Sequence, residues 1–134
     1  METATQEAIK ETTLQDILSE FNILESEDAV VEVGLYNQKY RRNFNASYTI
    51  KPLPNNRMCL EMVIRELKYG VFQEKATSEI EFEPGCFDFS HPLYHPQQIQ
   101  IRGESPECIK FLAEEIIPVY QAKGYEMKSL KIIK

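Results

Sequence analysis

The chain has 134 residues, 43% of them hydrophobic and 27% charged, with 15 basic and 21 acidic side chains for a formal net charge of −6. Those values fit one domain with a real core and exclude wholesale disorder. The acidic balance opposes a nucleic-acid interface and opposes docking on anionic lipid, since both draw on a basic face.

Residues 1–12 are polar, rich in Thr and Glu, and are expected to form a flexible start to a single domain over 13–134. They carry no apolar h-region, and no later run reaches the roughly 18 apolar residues of a membrane span. The three cysteines, Cys59, Cys86 and Cys108, are odd in number and widely spaced, unlike a disulfide framework. The expectation is therefore a soluble, cytoplasmic protein without membrane association. In that compartment the sequon Asn45-Ala46-Ser47 carries no meaning.

In chain order, Leu14, Ile17, Leu18 and Phe21 recur with helical spacing behind a Thr13 cap and predict an N-terminal helix. Val31, Val33 and Leu35 alternate with polar or small residues as a half-buried strand does. Phe44, Ala46, Tyr48 and Ile50 alternate with Asn45, Ser47, Thr49 and Lys51 in the cleanest period-2 run of the chain. Between the two runs, NQKYRRN is expected to be a hairpin loop. Pro52 and Pro54 should end the second strand. Met58 to Leu67 reads as a third strand, extended by Val71 and Phe72 through a bulge at Gly70. Ile80 and Phe82 alternate with Glu79, Glu81 and Glu83 in a fourth, stopped by Pro84-Gly85. Ile99 and Ile101 mark a fifth.

Ser105-Pro106-Glu107 has the order of an N-cap, a first-position proline and a first-turn acid. The helix it opens buries Ile109, Leu112, Ile116, Val119 and Tyr120, and Gly124 is its expected C′ residue. Pro118 should kink it. Tyr125 to Ile133 is a final strand. The expected fold is α+β: an N-terminal helix, a mostly antiparallel four- to five-stranded sheet, one long C-terminal helix packed on the sheet, and a final strand. Short connections favour a meander.

The densest cluster of chemistry-bearing side chains is CFDFSHPLYHP, Cys86 to Pro96, which holds both histidines. Cys86, Asp88, His91 and His95 offer zinc ligands, but each histidine precedes a proline and is pushed toward extended geometry. Four residues of such a chain span about 12 Å, which separates two imidazoles that a shared zinc needs within about 2.1 Å of itself. No metal site and no cofactor are expected. Cys108, in the first turn of the second helix, is a reactivity candidate because a helix start can lower a thiol pKa. The plainer expectation for it is core packing. No GxSxG, Walker A or GxGxxG occurs, so no catalytic residue is assigned.

Two features point to recognition. Glu79, Glu81 and Glu83 form a comb on one strand face, spaced by about 7 Å, that must be wet or meet cations. Phe87, Phe89, Leu93 and Tyr94 are too apolar for a solvated loop and suit either a cluster capping the sheet or a semi-rigid ledge for a partner. The leading expectation is a non-enzymatic protein-interaction module: a small acidic adaptor or assembly chaperone binding a protein or peptide segment, basic in character, of a larger complex. The sheet edges would also allow a homodimer. One alternative is a small-molecule-binding or enzymatic cup wrapped around the C-terminal helix, with Tyr48, Arg65 or His91 pointing inward. A further alternative is an acidic inhibitor or immunity protein.

Overall fold

A computed structural model describes residues 29–83 and 96–133. Six strands, β1 (Val30–Tyr36), β2 (Arg41–Leu53), β3 (Arg57–Lys68), β4 (Val71–Phe82), β5 (Pro96–Glu104) and β6 (Glu126–Ile133), form one sheet in the order β4-β3-β2-β5-β1-β6. Between β5 and β6 runs a helical segment in three pieces: α1 (Pro106–Phe111), a π-helical turn (Leu112–Ile116) and α2 (Ile117–Ala122).

Period-2 alternation decides which side of each strand is dry. Val31, Val33 and Leu35 of β1, Phe44, Ala46, Tyr48 and Ile50 of β2, Leu60 and Ile64 of β3, and Ile99 and Ile101 of β5 are all buried. They form one core with Ile109, Leu112, Ile116 and Tyr120 of the helical segment. The intervening residues of the strands form the sheet's other, outer face. Their mixture of hydroxyls, amides and charges keeps that face hydrated.

The helical segment starts as the sequence predicts. Ser105 takes φ 82° and its side chain accepts from the Cys108 amide at 3.4 Å, with proline and Glu107 in the first turn. Pro118 has no N–H to give, and its ring crowds the carbonyl four residues back. The chain widens into the π turn directly before α2, which takes up that mismatch. Gly124, at φ +94°, ends the segment. Asn37 then ties this end to β1: its Nδ2 donates to the Lys123 carbonyl at 3.1 Å, and its Oδ1 accepts from the Lys39 amide at 2.9 Å.

The expected α+β architecture is overturned. Strands take 66% of the described chain, and the only described helix is a short segment of 17 residues in the middle. The sheet has six strands and is mixed, because β2 and β5 run parallel while every other pair is antiparallel. Among the described residues no long helix forms a layer packed on a four- or five-stranded meander, and the N-terminal helix expected from Thr13 lies outside them. Three physical causes account for the difference. The pair Tyr69-Gly70 is a tight turn with φ 54° and 78°, so Val71 opens a new 12-residue strand instead of prolonging β3. Pro118 divides the helix. β5 inserts between β1 and β2, so the connection at residues 37–40 does not close a hairpin.

Pro52 lies inside β2, opposite Met58. It is tolerated because β5 pairs with β2 only as far as Ile50, leaving Pro52 on a locally free side.

Candidate functional site

The outer face divides into two ends of opposite character. At the acidic end, Glu79 and Glu81 of β4 stand opposite Glu61 and Cys59 of β3. Glu79, Glu81 and Glu83 are all exposed. Glu61 is bridged by Lys51 at 3.2 Å. Glu79 instead accepts from the Cys59 thiol at 3.3 Å, and among the described residues no cation pairs with Glu79 or Glu81. Like charges directly opposite each other on a sheet repel, which favours a positively charged neighbour. Burial pushes the Cys59 thiol up to about 11, with the Glu79, Glu61 and Glu81 carboxylates adding to the rise. This cysteine is therefore a neutral donor and not a nucleophile at ordinary pH.

Arg102, on β5, is already paired with two acids, Glu32 at 2.7 Å and Glu104 at 3.2 Å.

At the other end the acids stand only at the flanks, Glu74 opposite Arg65 on β4 and Glu126 opposite Tyr36 on β6. Arg65, Asn45, Gln98 and Tyr36 stand opposite one another in a row across β3, β2, β5 and β1. Ser47, Gln100, Gly34 and Ser129 make the next row across β2, β5, β1 and β6. The two rows floor an open cavity of about 470 Å³. Arg65 donates from a terminal guanidinium nitrogen to Ser47 Oγ at 2.8 Å.

The tip of the β3–β4 hairpin is apolar. Leu67 and Phe72 face each other across the ladder and are 40% and 38% exposed, Val71 is 61% exposed, and Tyr69 is 98% exposed. Tyr69 also sits in the left-handed region, which an aromatic L-residue occupies at a cost. Among the described residues β4 has β3 on one side and no strand on the other, so its outer edge carries unpaired backbone groups along 12 residues.

The residues singled out from the sequence scatter accordingly. Glu79, Glu81 and Glu83 lie together near the end of β4. Phe87, Phe89, Leu93 and Tyr94 lie outside the described residues, as do Cys86, Asp88, His91 and His95. Cys108 is fully buried in the core and its thiol is pushed up, first by burial, so the packing role fits it better than reactivity. Tyr48 and Arg65 do not converge on a cup. Tyr48 is in the core, where its hydroxyl accepts from Tyr120 at 3.0 Å, and Arg65 is on the outer face. Burial raises both tyrosine pKa values.

Tyr69, Leu67 and Phe72 were not anticipated. Half of the signal was there: Gly70 after ten residues of strand pattern marks a turn, but Tyr69 is not a residue that two-residue hairpin turns favour. The Arg65–Asn45–Gln98 row had no sequence signal, because its members meet only through strand pairing.

No protein-family model matches the chain, and no curated protein or solved structure matches it either. No described helix is long and apolar enough to cross a membrane.

Proposed function

We propose that the chain is a non-enzymatic protein-interaction module, a small acidic adaptor or assembly chaperone whose β4 edge takes an extended basic segment of a larger complex. Tyr69 carries this reading. A fully exposed aromatic in a left-handed turn position contributes nothing to the core and costs the hairpin stability, so its benefit is sought outside the chain. The free edge of β4 supports strand addition. The Glu79–Glu83 comb supports a basic partner, and about 23 Å of strand separates it from Phe72, enough for one extended segment to meet both.

The test uses tagged protein on lysate of the source organism, at low salt and at about 0.5 M salt. Four forms are compared: wild type, Tyr69→Asn, Phe72→Ser, and the triple reversal Glu79→Lys, Glu81→Lys, Glu83→Lys. A stoichiometric protein captured by wild type and lost from both the tip variants and the reversal, with folding intact by circular dichroism, is the expected result. Capture that survives all of these changes rules the β4 edge out as the docking surface.

A further inference from the structure

The cavity at the Arg65 end of the outer face plays no part in partner docking on β4, and its chemistry is distinct. Two rows of side chains from five strands line it with amides and hydroxyls, and no Asp or Glu lines it among the described residues. In a chain of net charge −6 this is a local reversal of sign.

Arg65 dominates it. The guanidinium carries five N–H donors, and among the described residues Ser47 Oγ is its one hydrogen-bond partner. The residue is half-buried. Directly opposite Arg65 on β2, the Oδ1 of Asn45 is buried with no donor to it among the described residues. A cross-strand pair places the two Cβ atoms about 5 Å apart. One side of this pair asks for anionic oxygens, and the other asks for an N–H or O–H.

The floor is shaped to leave room. A Cβ on Gly34 would land on Ser129 Oγ, so glycine lets that hydroxyl lie flat across β1. The ladder between β1 and β6 shifts between Gly34 and Leu35, and this bulge turns both Lys128 and Ser129 toward the cavity.

Lys128 does not share the anchor. Four strand steps of about 4.8 Å separate β3 from β6, which puts its backbone about 19 Å from that of Arg65. It is also bridged to Glu126 at 2.9 Å. The other acid facing Arg65 is Glu74, its register partner on β4, whose carboxylate accepts from Thr77 Oγ1. One cation within reach matches a single carboxylate better than a phosphate dianion. The volume falls in the range of small-molecule sites, roughly 300–1,000 Å³.

We propose that this cavity binds a small organic acid bearing a hydroxyl or amino group next to its carboxylate. Arg65 takes the carboxylate, the Asn45 amide turns its Oδ1, buried in the free protein, toward the cavity to accept from the adjacent O–H or N–H, and the Gln98, Gln100, Ser47 and Ser129 side chains hold the rest of the molecule. Binding is reversible, with no bond made or broken.

The probes are L-lactate and propionate, monocarboxylates that differ by one hydroxyl, with inorganic phosphate as a third, each titrated at constant ionic strength into nitrogen-15-labelled protein. L-lactate should give saturable shifts at the amides of residues 45–47, 65 and 98–100. Propionate should bind about fivefold more weakly, the worth of one hydrogen bond, and phosphate more weakly than L-lactate. Arg65→Gln should weaken L-lactate at least tenfold. Arg65→Lys, which keeps charge and bulk but loses the fork, should weaken it as well. Asn45→Ala should bring L-lactate and propionate together, and Glu74→Gln should tighten both. The triple reversal at Glu79, Glu81 and Glu83 should leave the titration as it is, so failure of the docking edge and failure of this site are told apart. Shifts that do not saturate well past millimolar concentration, tighter binding of phosphate than of L-lactate, or unchanged affinity in Arg65→Gln would each overturn the proposal.

Discussion

Replacing Tyr69 by Asn should make the isolated protein more stable. Tyr69 holds φ 54° and is 98% exposed. A left-handed conformation costs an ordinary L-residue about 1–2 kcal/mol, while Asn enters it readily through local hydrogen bonding. Against this gain stands only the burial that is lost. The small part of the side chain out of water amounts to about 5 Å², worth about 0.1 kcal/mol at about 25 cal/mol per Å². The next residue is Gly70 at φ 78°, so Tyr69→Asn would install an Asn-Gly dipeptide, the favoured pair for a two-residue hairpin of this kind. The net gain should be about 0.5–1 kcal/mol, a rise in Tm of about 2–4 °C for a domain of this size. Calorimetry together with urea unfolding checks it. A fall in Tm of a few degrees would show that Tyr69 works inside the fold, and the main support for the docking edge would go with it.

Four other outcomes follow from the same geometry. Asn37→Ala removes the side chain that satisfies the Lys123 carbonyl and the Lys39 amide from a site only 7% exposed. It should cost about 1–2 kcal/mol in urea unfolding, since the Lys39 amide loses its bond and the Lys123 carbonyl keeps only the 3.4 Å bond from the Tyr40 hydroxyl. Ile101→Ala, at a fully buried position of the central strand β5, should cost about 3–4 kcal/mol by cavity formation. Stability should also fall in alkali. The Cys59 thiol titrates near 9 when unfolded and is pushed up to about 11 when folded, so between those values the folded state holds more protons and each rise in pH favours unfolding. Tyr48, Tyr120 and Tyr125, all raised chiefly by burial, act in the same direction above pH 10. Urea midpoints at about pH 8 and about pH 10.5 measure this, and equal midpoints would contradict it. Alkylation of folded protein by iodoacetamide at about pH 8 should be slow at both Cys59 and Cys108.

Side-chain alternation determined which face of each strand is buried. Phe44, Ala46, Tyr48 and Ile50 point into the core because β geometry sends successive residues to opposite sides, whatever the neighbouring strand is. Local chemistry likewise set the helix start at Ser105-Pro106 and its end at Gly124. Residues 13–28 and 84–95, where an N-terminal helix and an aromatic ledge were expected, lie outside the described residues.

Neighbour choice was decided by the tertiary structure alone. Backbone hydrogen bonding is the same for any partner, so nothing in β1 or β2 announces that β5, some fifty residues on, will lie between them. That insertion makes the sheet mixed and sets Asn45 beside Gln98. With the β2–β3 pairing it brings Arg65, Asn45 and Gln98 into one row. The face each residue occupies is a local property of the chain, while the company it keeps there is settled only by closing the sheet.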